Sequence, residues 1–133
     1  MIPRDFFIEE RLEKYRLSVS CNLGESGLRN FTLGEILNQL KISNEELGKI
    51  SLADSPNNGR EDLRIEIANL YENISPDQVL ITTGTSEALY VLFHLLLEKG
   101  DIVSLFTPAF QALYEIPIML EAKIKEVEVK NFL

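Results

Sequence analysis

Residues 75–89, Ser75-Pro-Asp-Gln-Val-Leu-Ile-Thr-Thr-Gly-Thr-Ser-Glu-Ala-Leu89, join a β-favouring run to a helix through one glycine. Val79, Leu80 and Ile81 are apolar and two of them are β-branched, so 79–82 predicts a short strand. Gly84 breaks the run, and Thr85 or Ser86 can cap the next helix. From Glu87 to Leu97 the residues are strong helix formers, and Gly100 supplies a C-terminal stop. A hydroxyl-bearing turn at a helix start offers backbone N–H groups, O–H donors and the positive end of a helix dipole. A phosphate or other small anion needs those groups. The turn is neither Gly-x-Gly-x-x-Gly nor a Walker loop, because no Lys-Ser or Lys-Thr pair comes after it. The plainer reading is a capped, buried helix.

C-terminal to this stretch the chain alternates. After a helix at 86–98, Asp101 introduces a strand at 102–106. Pro108 is expected to open a helix that Pro117 can interrupt. Ile124 to Val129 then reads as a final strand. This β-α-β-α-β order predicts parallel strands with helical crossovers, an α/β protein. N-terminal to it the chain is helical. Residues 5–16 place Phe6, Phe7, Leu12 and Tyr15 among charges. Thr32 can cap a helix to Leu40, with Glu35 three residues on and Leu33, Ile36, Leu37 and Leu40 in one stripe. A short helical piece spans Glu45 to Ile50. Asp54-Ser-Pro-Asn-Asn-Gly59 is dense in turn formers, and Asn57-Asn58-Gly59 reads as a turn and helix cap. A helix from Glu61 to Tyr71 comes next, with Leu63, Ile67, Leu70 and Tyr71 inward.

The chain has 133 residues, enough for a domain with a core. Its formal charge is −8, with the charges interspersed, which argues against nucleic acid or an anionic membrane as partner. An anion would have to be held by a local feature. Cys21 is the only cysteine, so no internal disulfide forms and a reducing, cytoplasmic setting fits. The charged N-terminus lacks a signal-peptide core. The longest apolar run, Ala88 to Leu97, is too short to span a bilayer and reads as a buried helix. His94 lies within it, without a histidine or cysteine partner, and reads as a core or boundary histidine. No metal-ligand spacing is visible.

Three separated motifs then agree. They are Gly59-x-x-x-Leu63-Arg64-x-x-Ile67-Ala68-x-x-Tyr71, Ile81-Thr-Thr-Gly-Thr-Ser-Glu-Ala-Leu89, and Lys99-Gly-Asp-Ile-Val103 with Thr107-Pro-Ala-Phe110 after it. In this order and spacing the chain, from about residue 15 onward, resembles the N-terminal part of class I/II aminotransferases, pyridoxal-phosphate enzymes of fold type I. Phe7-Ile-Glu-Glu and Gly24-Glu-Ser-Gly-Leu before a Leu33-Gly-Glu-Ile-Leu helix look somewhat like the capreomycidine-synthase branch.

That resemblance implies an incomplete portion of the large domain. Residues 1–50 would form an N-terminal helical segment and 51–133 the start of the cofactor-binding domain. Gly84, Thr85 and Ser86 match the positions that hold the cofactor phosphate. Phe110 matches the aromatic that stacks on the pyridine ring. Gly24 or Ser26 would lie in the loop approaching the substrate carboxylate. The family also needs a lysine for the Schiff base, an acid at the pyridine nitrogen and an arginine for the substrate carboxylate. None of Lys14, Lys41, Lys49, Lys99, Lys123, Lys125 and Lys130 stands in the family's lysine context, so no catalytic residue is nominated. Asp54, five residues before Gly59, stands where many relatives place a tyrosine that reaches the neighbouring subunit's cofactor phosphate. In the family's sheet the strand before the phosphate turn lies apart from the next two, so 79–82 would lack a partner in this chain.

The expectation is therefore the N-terminal segment of an aminotransferase-like enzyme that uses pyridoxal phosphate, an amino acid and a 2-oxo acid. A homodimer or a complementing polypeptide would complete it. The alternatives are a truncated, non-catalytic family member and a small α/β phosphate-binding module docked on a partner chain.

Overall fold

The structure, a computed structural model, describes residues 4–129. The chain forms two compact units. One runs from Ser20 to Val79; the other joins the residues up to Val19 to those from Leu80 onward.

The second of these units holds α1 (Phe7–Tyr15), α5 (Thr85–Leu96), β1 (Ile102–Thr107), α6 (Ala112–Met119) and β2 (Lys123–Glu128). β1 and β2 pair in parallel, from Ile102 opposite Lys123 to Thr107 opposite Glu128. Parallel neighbours need a crossover, and α6 supplies it, packing on both strands and on α5. Leu105, Ala112, Pro117 and Ala122 are buried where helix meets sheet, and Leu12 of α1 is buried as well. The chain is thus α/β, with helices and a two-stranded parallel sheet.

Several expectations change here. Residues 79–82 form no strand, although their composition favours one. A strand exists only where a neighbour accepts its backbone, and among the described residues β1 pairs with β2 alone. Pro108 does not open a helix. It comes after β1 in a cis peptide bond with Thr107, and α6 begins at Ala112. Pro117 does not interrupt α6 either. Its ring is fully buried, and the helix continues with Leu120 N–H on the Ile116 carbonyl at 3.1 Å.

The Ser20–Val79 unit holds α2 (Leu33–Leu40), α3 (Asn44–Gly48), α4 (Glu61–Ala68) and a single 3-10 turn at Pro76–Gln78. Thr32 caps α2 as its sequence predicts: its hydroxyl accepts from Glu35 N–H, while the Glu35 carboxylate accepts from Thr32 N–H. Ser43 and Glu46 repeat this capping box on α3. Gly59, at φ 94°, closes the turn after Asn58, but Arg60 takes the N-cap position of α4.

The inward face of α4 is not the predicted one. Leu63, Leu70 and Tyr71 are exposed, whereas Arg64 and Ala68 are buried. Arg64 reaches inward because its donors find backbone carbonyls there: Nη1 on Pro76 at 2.7 Å and Nε on Gly59 at 3.3 Å. Along α2, Leu37 is buried while Leu33 and Leu40 are exposed.

Candidate functional site

The turn before α5 is set by one backbone conformation. Gly84 is the N-cap residue, at φ 86° and ψ 173°. Only glycine holds that region without strain. Neither Thr85 nor Ser86 caps the helix; they are its first two residues. The first α-helical bond runs from Ala88 N–H to the Gly84 carbonyl at 3.4 Å. The N–H groups of Thr85, Ser86 and Glu87 precede it and have no carbonyl one turn back. Thr85 and Ser86 are exposed, and a methyl group built on Gly84 meets nothing within 4 Å. The turn is open to an anion.

Two side chains brace this turn. Thr82 Oγ1 donates to the Gly84 carbonyl at 3.1 Å. The Glu87 carboxylate reaches back and accepts from the Thr83 N–H. Composition alone gives Glu87 no role beyond helix formation. Its charge adds to the helix dipole favourably but competes with any phosphate drawn to the same end.

Phe110 lies between β1 and α6, is 41% exposed, and meets Phe6 edge to face with ring centroids 5.6 Å apart. It lines a cleft of about 420 Å³ with Phe7, Ile8, Arg11, Gln111 and Tyr114. A second cleft of about 410 Å³ lies beside β1 and β2, lined by residues that include Arg4, Thr107, Tyr114 and Glu126. Gly84, Thr85 and Ser86 line neither cleft. Gly24 and Ser26 belong to the Ser20–Val79 unit, in exposed chain without helix or strand. The Gly24 N–H bonds the Asn22 side chain at 3.1 Å. Asp54 is exposed in irregular chain.

His94 is neither core nor boundary. It is exposed, stacks on Tyr90 with ring centroids 3.9 Å apart, and its Nδ1 lies 2.8 Å from the Tyr90 carbonyl. The helix presents its apolar residues outward, so the histidine among them faces outward too. Among the described residues no group of three or more His, Cys, Asp or Glu could hold a metal. No helix among them is long and apolar enough to cross a membrane.

The donors at Gly84, Thr85 and Ser86 fit a phosphate, and the partly exposed Phe110 ring fits a flat ring. The described lysines stand elsewhere. Lys99 pairs with Glu121 at 2.7 Å and Lys49 with Glu45 at 2.8 Å. Lys130 lies outside the described residues.

Residues 15–132 match the family model for aminotransferase class I and II. A probable aspartate aminotransferase of Methanocaldococcus jannaschii is 34% identical over 84 residues, 59% of this chain and 22% of that protein. Capreomycidine synthase of Streptomyces vinaceus is 34% identical over 109 residues, 80% of this chain and 28% of that protein. A PLP-dependent aminotransferase of Streptococcus suis superposes with a TM-score of 0.86 at 25% identity, over 98% of this chain and 36% of that one. The chain spans between a fifth and about a third of the length of these relatives. It belongs to the class I and II aminotransferase family, and its fold is that of part of a fold type I pyridoxal-phosphate enzyme.

Proposed function

We propose that this member of the family serves as the N-terminal part of a pyridoxal-phosphate-dependent aminotransferase acting on an amino acid and a 2-oxo acid. Residues 1–50 are its N-terminal helical segment and 51–133 the start of its cofactor-binding domain. The observation that carries the reading is Gly84. Its glycine-only conformation turns the chain into a 12-residue helix whose first N–H groups are open. Those donors and the Thr85 and Ser86 hydroxyls bind the cofactor phosphate, and the Phe110 ring orients the pyridine ring. Gly24 and Ser26 face the substrate carboxylate. When bound, pyridoxal phosphate supplies an electron sink for bond breaking at the amino acid's α carbon. The residues nominated here bind and orient; the proton-transferring lysine is not among them. The setting is cytoplasmic, in keeping with the exposed thiol of Cys21, and the working assembly is a homodimer or a complex with a complementing polypeptide.

Equilibrium dialysis of pyridoxal phosphate against the wild-type chain tests the reading. Saturable binding that free phosphate displaces is expected. Binding that phosphate leaves unaffected would contradict it.

A second reading, a non-catalytic α/β phosphate-binding module docked on a partner chain, is favoured by one feature. α5 has no buried residue although it is apolar nearly all round. In that reading the module binds phosphate but supports no transamination after addition of the segments that relatives carry beyond the matched region.

A further inference from the structure

Gln111 is 5% exposed, and both polar atoms of its side chain are used. Oε1 accepts from the Phe7 N–H at 3.0 Å, and Nε2 donates to the Asp5 carbonyl at 2.8 Å. These two backbone groups flank Phe6. A primary amide presents one acceptor and one donor side by side, so Gln111 meets the chain around Phe6 as a neighbouring strand would. One helical turn on, Glu115 is also 5% exposed and pairs with Arg4 at 2.7 Å. The backbone from Arg4 to Phe7 is therefore tied to the start of α6. Chain near a terminus is ordered only where it is tied in this way.

The ring held by this clamp is the one that touches Phe110. With Asp5 and Phe7 pinned, the Phe6 and Phe110 rings meet edge to face, with centroids 5.6 Å apart and an interplanar angle of 75°. The Phe110 ring remains partly exposed, beside a cleft lined by residues of both α1 and the start of α6. Packing alone needs no amide at this position. An apolar side chain would fill the space without desolvating two polar atoms, whereas the amide adds direction.

We propose that Gln111 is a positioning residue: by clamping the backbone on both sides of Phe6 it sets Phe6 against Phe110, and so fixes the Phe110 face that receives the pyridine ring of pyridoxal phosphate. This rests on the proposed role of Phe110 as the ring that orients the cofactor. Gln111 itself touches no cofactor atom; it acts through the two rings.

The test uses the full chain labelled with 4-fluorophenylalanine, read by fluorine NMR, with pyridoxal phosphate as the dialysis probe. The variants are Gln111→Ala, Gln111→Glu and Phe110→Ala. Gln111→Glu keeps the acceptor for Phe7 N–H, turns the donor toward Asp5 into an acceptor and adds a charge, so it removes the Asp5 bond without shortening the side chain if the alanine variant does not fold. Expected are native far-ultraviolet circular dichroism, displaced and broadened Phe6 and Phe110 resonances, and probe affinity lowered ~3–10-fold, the loss that one or two net hydrogen bonds produce. Wild-type resonances and affinity in a folded Gln111 variant, with affinity lost in Phe110→Ala, would overturn the proposal alone. Unchanged affinity in Phe110→Ala, or no probe binding by the wild type, would overturn the role of Phe110 and the proposal with it.

Discussion

Arg64 Nη1 donates to the Pro76 carbonyl at 2.7 Å, joining α4 to the 3-10 turn at Pro76–Gln78. Its Nε donates to Gly59 at 3.3 Å, so one side chain links the turns at both ends of this stretch. Asp77, at 3.6 Å, adds little because its carboxylate is open to solvent. Arg64→Ala leaves two carbonyls without this donor and should destabilise the chain by ~1.5–3 kcal/mol. Arg64→Lys should recover only part of that, since an ammonium lacks the guanidinium's fork. Urea midpoints measure both; equal midpoints for wild type and Arg64→Ala would remove the residue from the core.

Phosphate affinity should reside at Gly84, Thr85 and Ser86. Replacing both hydroxyls by alanine deletes two donors to a charged acceptor, and binding should fall at least ~10-fold. Gly84→Ala should weaken binding and stability together. The obstacle is the backbone at φ 86°, because the added methyl group itself has open space. Dialysis against labelled phosphate reads each variant, and unchanged affinity in the double alanine variant would move the site elsewhere.

Glu87 predicts a gain rather than a loss. Its carboxylate sits at the helix end that attracts the anion, accepting from Thr83 N–H. Glu87→Gln keeps an acceptor for that N–H and removes the charge. Phosphate affinity should rise ~2–5-fold at low salt and less at high salt, where screening shortens the reach of the charge. A salt-independent effect would point to altered geometry.

Acid should loosen the starts of α2 and α3. Thr32 N–H, then Arg29 and the Thr32 hydroxyl, hold the Glu35 carboxyl below its ordinary range. Ser43 N–H, then its hydroxyl, do the same for Glu46. A folded-state value below the unfolded one means stability that is complete above the unfolded value and lost as pH falls through the folded one. Amide-exchange protection in α2 and α3, taken relative to the intrinsic rate at each pH, should fall between about pH 5 and pH 3. Glu35→Gln and Glu46→Gln should flatten that dependence; a wild-type slope in the double variant would assign it to other carboxylates.

Borohydride reduction of the chain with pyridoxal phosphate should label no single lysine stoichiometrically. Lys99 is held protonated by its hydrogen bond to Glu121, then by that residue's charge, which makes it a poor nucleophile. Peptide mapping reads the result, and one fully modified lysine would nominate it as the reacting group.

What the sequence by itself determined was local or repeated in register along the chain. Thr32 and Glu35 stand three residues apart, so their capping box was legible before any tertiary contact. Gly84 announced a turn, and the alternation from Leu80 to Val129 announced parallel α/β connectivity. Three motifs in order carried the family. Tertiary structure decided the features that depend on a partner far along the chain. Val79 to Thr82 have strand composition, but a strand is a pairing, and among the described residues only β1 and β2 find each other. Arg64 looked like a polar position on a helix until Pro76 and Gly59 brought it carbonyls. Gln111 drew no notice in the sequence, because its partners, Asp5 and Phe7, lie 106 and 104 positions away. Periodicity records which residues are apolar. It does not record which buried amide will meet a backbone group at the other end of the chain, since that meeting exists only once the chain around Phe6 lies against the start of α6.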